Sequence, residues 1–272
     1  MINEDDSVFS MSDFVDHKST FFRRRSRIAE LIEKITPTSG KNVSASRNYE
    51  RFAQTLVKQC SAPRVLVIGG SILGEGMEHL LGYRQIELID SDISFGPRTK
   101  LICDAHDIPF VDNTFDGVIA QAVLEHVLDP YRCVEEIHRV MKSDGLVYAE
   151  TPFMQPVHGS CYDFTRFTYL GHRRLFRAFS EIDSGVACGP GVSLAGAWKY
   201  FLWSFSSNRL MRKALQIAAS YTAMIWKYFD PYLMHKDSAL DAASGFYFMG
   251  RKSHEVLTDR DLLRLYRGGF SQ

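Results

Sequence analysis

From residue 64 onward, short aliphatic runs alternate with stretches of helical periodicity. The runs are Val65–Ile68, Ile86–Ile89, Leu101–Ile102, Gly117–Ala120 and Leu146–Ala149. Their apolar residues are continuous rather than alternating, which predicts strands buried on both faces. Val123–Leu128 and Val134–Met141 carry helical spacing, and Lys142–Gly145 reads as a turn before the next strand. Strands separated by helices predict an α/β fold with a mostly parallel, doubly wound sheet. "SGFYFMGRK", residues 244–252, has the aromatic, glycine-bounded character of a late sheet strand.

The pattern differs on either side of this region. Phe21, Phe22, Ile28, Leu31, Ile32 and Ile35 lie at helical spacing, and Pro37–Gly40 ends that segment. Residues 194–234 read as two helices joined near Ser206–Asn208. Trp198, Tyr200, Phe201, Trp203 and Phe205 are too many aromatic residues for one amphipathic face. They suit core packing, a homodimer contact, a cap over a hydrophobic acceptor, or contact with a membrane surface aided by Arg209, Arg212 and Lys213. The expected organisation is a helical extension (1–60), a Rossmann-like core (61–190), an aromatic helical cap (191–240), and a last core strand with its tail (241–272).

Composition narrows the classes. The 272 residues are 45% hydrophobic and 12% aromatic, which suits a packed globular protein. Lys plus Arg and Asp plus Glu are 32 each, so no general nucleic-acid binder is expected. Arg23, Arg24, Arg25 and Arg27 form a local basic cluster that fits a solvated helix face or an anionic partner. The five cysteines are widely spaced and form no CxxC pair, which predicts neither a disulfide framework nor a zinc ribbon. A reducing, cytoplasmic setting is expected. The acidic N-terminus does not read as a secretory signal. Ala214–Trp226, the nearest apolar run, is shorter than the roughly 20 residues that cross a bilayer. No metal site is expected: His158, Cys161 and His172 lack an evident fourth ligand.

"VLVIGGSILGEG", residues 65–76, is where chemistry first suggests itself. A phosphate-binding loop would need Lys and Ser or Thr where Glu75 and Gly76 stand. A nucleophile elbow around Ser71 would need glycine at Leu73, and Asp230 and His235 make a poor pair of partners. A nicotinamide fingerprint fails at its second glycine, although Asp90 ends the next strand. The fourth reading is an adenosyl-binding loop, in which backbone approaches a ligand that has no phosphate to cradle. Asp90 could then accept hydrogen bonds from both ribose hydroxyls, and Asp92 could share that role.

The stretch "CDAHDIPFVDNTFDGVIAQAVLEHVLDPYRCVEEIHRVMKSDGLVYAETPF", residues 103–153, favours the fourth reading. It resembles class I S-adenosylmethionine-dependent methyltransferases, particularly the type 11 branch with D-A-x-x-[IL]-P-F-x-[DN]-x-[ST]-F-D and a downstream L-E-H-V. The resemblance covers residues 64–153 and weakens outside them. It implies a Rossmann-like, seven-stranded, doubly wound sheet and S-adenosyl-L-methionine as cofactor. It places Gly69, Gly70 and Ser71 at the methionine part, and Asp90 at the ribose. Asp104, with Ala105 and His106, falls beside the adenine, and Gln121 in the loop closing over the cofactor. Val67 and Ser71 depart from the family pattern, and only about ten residues join the second and third strands, near the minimum for a crossover. His126 reads as a packed helix residue.

The loop "TPFMQPVHGSCYDFTRFT", residues 151–168, is the expected acceptor end. His158 is a candidate general base, since an ordinary imidazole titrates near neutrality. Asp163 would orient it, Tyr162 lies beside it, and Arg166 would bind an anionic substrate. A self-satisfied polar network that merely folds the loop accounts for the same residues. The expected activity is methyl transfer to a small molecule or sugar in a biosynthetic pathway, at oxygen. The rivals are a cofactor-binding partner protein without activity, and an NAD(P)-dependent oxidoreductase.

Overall fold

The computed structural model describes residue 40 and residues 42–270. The proposed helix of residues 21–35 and its arginine cluster lie outside the described residues. Thr38–Gln272 forms one compact unit.

Its centre is a seven-stranded sheet. In chain order the strands are β1 (Arg64–Ile68), β2 (Glu87–Asp92), β3 (Leu101–Ile102), β4 (Phe115–Gln121), β5 (Met141–Pro152), β6 (Phe179–Cys188) and β7 (Gly245–Lys252). Their spatial order is β3-β2-β1-β4-β5-β7-β6. β1 to β5 pair in parallel, and β7 runs antiparallel to both β5 and β6. The sheet is thus mostly parallel and covered on both faces, as the continuous apolar runs required.

Helix α1 (Ala45–Gln59) covers one face, and its buried residues show why. Tyr49, Phe52, Ala53 and Leu56 recur at i, i+3, i+4 and i+7 and pack with Val65, Val67, Leu146 and Tyr148. Helix α3 (Pro130–Val140), the next long helix after the one-turn α2 (Glu78–Leu81), covers the other face. Its Cys133, Val134, Ile137 and Val140 pack with Leu66, Val118 and Val147. Asp129 caps it by accepting from the Arg132 amide at 3.1 Å, with Pro130 pre-set in the first turn. Each fully buried Phe or Leu contributes about 1.5–3 kcal/mol of transfer free energy.

Two local expectations are corrected, and the short join between β2 and β3 is as expected. Val123–Leu128 is a series of turns, not a helix. Its Val123, Leu124 and Val127 pack against the core from an irregular segment whose backbone bonds go elsewhere: the Glu125 carbonyl accepts from the Phe164 amide at 2.8 Å. Lys142–Gly145 is no separate turn but lies within β5. There Phe115 pairs Met141 while Gly117 pairs Leu146, so the extra residues bulge from one continuous strand. Residues 93–100 hold no helix; a tight loop replaces the usual crossover.

Helix α4 (Tyr169–Leu175) precedes β6, and after β6 come α5 (Pro190–Trp203) and α6 (Arg209–Ala223), joined by residues 204–208. Asp230, fully buried, accepts from the Gly191 amide at 2.7 Å and the Val192 amide at 3.0 Å, anchoring the start of α5. Burial pushes its carboxyl up and these amides oppose that. Asp230 is therefore a helix anchor rather than a catalytic acid.

Candidate functional site

Parallel register sets where ligands bind. Ile68 pairs Ala120, Ala120 pairs Ala149, and Gln121 pairs Glu150, so β1, β4 and β5 end side by side. Their loops open at the carboxyl edge, the usual ligand position in such sheets. A cleft of about 380 Å³ lies there, within the range of small-molecule sites. Gly69, Gly70, Gln121, Ala122, Glu125, Glu150, Gln155 and His158 are among the residues that line it.

Gly69 turns the chain with φ 71°, and a Cβ there would overlap the Val123 side chain. Only glycine combines that conformation with that proximity, so bare backbone faces the cleft. Ala122, at φ 53°, is a non-glycine residue in the left-handed region, anchored by its amide on the Glu150 carbonyl at 3.0 Å.

The cleft is acidic. Glu75, Glu125 and Glu150 line it, and among the described residues no lysine or arginine does. Glu150 is well satisfied: Tyr148 donates from its hydroxyl, Asn42 Nδ2 at 2.8 Å and Gln121 Nε2 at 3.0 Å. Burial still raises its pKa against those donors. Gln121 is pinned as well, accepting from Tyr49 Oη at 3.0 Å and donating to the Glu75 carbonyl at 3.0 Å.

Glu125 is the opposite case. It is fully buried, yet neither carboxylate oxygen has a hydrogen-bond partner. Its Oε1 stands 3.4 Å from His158 Nε2 and 3.7 Å from His126 Nε2. The Glu125 carboxylate raises the His158 pKa above its ordinary value, against the effect of burial.

The expected catalytic residues are arranged differently from the sequence reading. Asp163 accepts from the His158 backbone amide at 2.6 Å, while its carboxylate stands 3.7 Å from His158 Nδ1. Arg166 clasps both Asp163 oxygens and donates to the Gln155 carbonyl at 3.1 Å. Burial raises the Asp163 carboxyl, but Arg166 and the His158 amide together hold it below its usual range. Asp163 and Arg166 therefore build the loop, and Glu125 replaces Asp163 as the carboxylate nearest the imidazole. Tyr162 contributes its carbonyl, which accepts from His126 Nδ1 at 2.7 Å. His172 is buried among Phe167, Phe176 and Phe248 with its pKa lowered by burial to about 3. Cys161 is exposed, so the structure does not unite it with His172.

Of the residues expected at the cofactor, Gly69, Gly70 and Gln121 line the cleft. Ser71 lies at the end of the glycine turn, its carbonyl accepting from the Arg98 amide at 3.2 Å. Asp90 is buried beneath Gly70, and one Arg98 nitrogen bonds both its oxygens at 3.1 Å. Asp104 accepts from His106 Nδ1 at 2.6 Å, and His106 Nε2 accepts from the Asp129 amide at 3.1 Å. Ala105 is buried between them. This knot secures the start of α3 at the rim. Sequence reasoning passed over Glu125, Glu150 and Asn42. A carboxylate at the end of a buried strand, in "VYAETPF", was the signal for Glu150. Glu125 lies in the L-E-H-V motif, but the helical spacing of its segment gave no sign that its carboxylate would meet His158.

Residues 84–149 match the model of a methyltransferase domain family, spanning β2 to β5. The matched stretch and the relatives together support a class I S-adenosylmethionine-dependent methyltransferase. Over 133 residues, 49% of this chain, it is 27% identical to a demethylmenaquinone methyltransferase of Lysinibacillus sphaericus. Over 58 residues, 21% of this chain, it is 40% identical to the mitochondrial arginine-hydroxylase NDUFAF5 of Rattus norvegicus. The matched parts are 45% and 16% of those proteins, so the chain spans less than half the length of these relatives. A solved Burkholderia thailandensis 1,6-didemethyltoxoflavin-N1-methyltransferase superposes with TM-score 0.47 at 14% identity, covering 89% of this chain and 87% of that one. The central strands end around the acidic cleft, and His158 is among the residues that line it.

Proposed function

We propose that the protein transfers a methyl group from S-adenosylmethionine to an oxygen of a small-molecule or sugar acceptor. The acidic cleft against the glycine turn carries this reading. Three carboxylates without a facing lysine or arginine repel the phosphates of a nicotinamide cofactor and suit a cationic sulfonium. Gly69, Gly70 and Gln121 would hold the methionine part, with Asp90 at the ribose and Asp104, Ala105 and His106 toward the base. When bound, the cofactor supplies the electrophilic methyl carbon, so the chain's own task is positioning and proton removal. His158 would take the hydroxyl proton, with Glu125 Oε1 3.4 Å from its Nε2.

Calorimetry tests the cofactor assignment. S-adenosylmethionine and its demethylated product are expected to bind and NADPH not to. Tight NADPH binding without adenosylmethionine binding would overturn it, and cofactor binding without turnover over a broad acceptor panel would favour a non-methylating partner protein.

The aromatic helices support a second part of the reading, contact with an anionic membrane surface. No residue of α5 or α6 lines the cleft, so they do not cap it. They lean on the His158 loop instead, Tyr200 Oη donating to the Val157 carbonyl at 2.9 Å. Phe201, Phe205, Leu210, Met211, Tyr228 and Tyr232 are exposed. Residues 189–236 carry Lys199, Arg209, Arg212, Lys213, Lys227 and Lys236 against one acid, the buried Asp230. Exposed aromatic and aliphatic groups beside an excess of cations suit a bilayer interface. No helix among the described residues is long and apolar enough to cross a membrane. The protein is expected to sediment with phosphatidylglycerol vesicles at low salt and not with phosphatidylcholine vesicles. A concentration-dependent dimer without vesicle binding would give this face to a second copy of the chain. The five free cysteines support a reducing, cytoplasmic setting.

A further inference from the structure

Glu125, His126 and His158 converge from two separate loops, Glu125 and His158 lining the cleft, and their potential ligand atoms all lie within 4.8 Å of one another. We infer that this cluster binds a divalent transition-metal ion of the zinc class, with its open positions facing the acceptor. The inference rests on the methyl-transfer reading only for what the ion would do; the ion site itself stands on geometry.

The separations come first. Two ligand atoms bonded to one tetrahedral ion at about 2.0–2.2 Å lie about 3.4 Å apart. Glu125 Oε1 is 3.4 Å from His158 Nε2 and 3.7 Å from His126 Nε2. These contacts lack hydrogen-bond geometry, yet they match a shared ion after a small contraction.

The unpartnered carboxylate is the second, independent observation. Both Glu125 oxygens are buried without a donor, in a protein where Glu150, a few ångströms along the same cleft, has three. Buried carboxylates are otherwise paired, hydrogen-bonded or bound to metal. Glu125 lines the cleft, and both imidazoles stand within 4 Å of its Oε1.

The surroundings orient both rings. His126 Nδ1 lies 2.7 Å from the Tyr162 carbonyl, which assigns the proton to Nδ1 and leaves the Nε2 lone pair toward Glu125. His158 Nδ1 faces the Asp163 carboxylate at 3.7 Å, so Asp163 would play the same part for the second ring. The two imidazoles meet edge to face, with centroids 5.0 Å apart. Gly159 makes that approach possible: at φ 76°, a Cβ on it would stand 2.7 Å from His126 Cε1.

Two imidazoles and one carboxylate favour zinc-class ions over magnesium or calcium, which take oxygen ligands. Three protein ligands with an open position are the arrangement of a catalytic rather than a structural site. An acceptor hydroxyl bound at that position would lose its proton more readily, the proton passing to solvent water and the oxygen keeping the electron pair as the nucleophile. In the ion-bound protein His158 is then a ligand and need not carry the proton.

The test is ion binding by the full chain, read without cofactor or acceptor. After chelator treatment and removal of the chelator, Zn²⁺ is titrated against a chromophoric competitor. One ion per chain is expected, with Mg²⁺ unable to displace it. Glu125→Gln and His126→Ala should each weaken binding by about 100-fold. His126→Ala leaves the His158 imidazole in place and is part-exposed, so it keeps the test valid if the buried Glu125→Gln variant fails to fold. Zn²⁺ binding equal in wild type and His126→Ala, or no saturable site in wild type, would overturn the inference. Because adenosylmethionine binding is measured separately, failure of the ion site leaves the methyl-transfer reading standing, and the reverse also holds.

Discussion

Replacing His158 with alanine is expected to lower methyl transfer by roughly 10²–10⁴-fold, the usual range for loss of a positioned proton-transfer group. Adenosylmethionine affinity is expected to change by no more than about twofold, because the residue serves the acceptor end. Several observations make this a clean substitution. His158 is half-buried rather than part of the core. Its backbone amide, not its ring, holds Asp163, so the loop built by Asp163 and Arg166 survives. His158 makes no hydrogen bond to Gly69, Gly70 or Gln121, the residues proposed to hold the methionine part. Single-turnover transfer and calorimetric cofactor affinity read the two roles separately. Wild-type turnover in the variant would remove His158 from the reaction altogether.

The second large effect is expected at Asp90. Asp90→Ala should weaken adenosylmethionine binding by about 10–100-fold, since hydrogen bonds to a charged acceptor contribute about 1.5–3 kcal/mol. The structure adds a condition that the sequence did not contain. Asp90 is already clasped by Arg98, whose loop crosses the glycine turn and bonds the Ser71 carbonyl. A ribose must therefore share Asp90 with Arg98 or displace it. Arg98→Ala separates the two roles: it removes the clasp and leaves the carboxylate, so cofactor binding is expected to persist. The Asp90 variant also leaves the Arg98 guanidinium without its buried partner, so some loss of thermal stability is expected beside the loss of affinity. Unchanged affinity in Asp90→Ala would end the ribose assignment.

Much of the fold was legible because burial on both faces writes continuous apolar runs into the chain. Val65–Ile68, Gly117–Ala120 and Leu146–Ala149 became adjacent parallel strands, and the aromatic run at 245–252 became the antiparallel strand β7. Val134–Met141 became the body of α3, ending one residue early because Met141 opens β5. Val123–Leu128 was misleading for a physical reason. Apolar residues at helical spacing report which side faces the core, whereas the backbone bonds of this segment are taken by Phe164, Thr165 and its own tight turns.

The sequence by itself determined the class of the fold, the glycine turn at its carboxyl edge and the loop carrying His158. Those follow from local chemistry: strand patterning, glycine's access to positive φ, and one imidazole in a polar stretch. Only the tertiary structure decided which carboxylate meets that imidazole. Asp163, five residues away, is consumed by Arg166, while Glu125, 33 positions earlier, arrives across the cleft with no donor of its own. The pairing of a buried charge depends on which other groups reach it first, and that is set by how β4 and β5 align rather than by proximity along the chain.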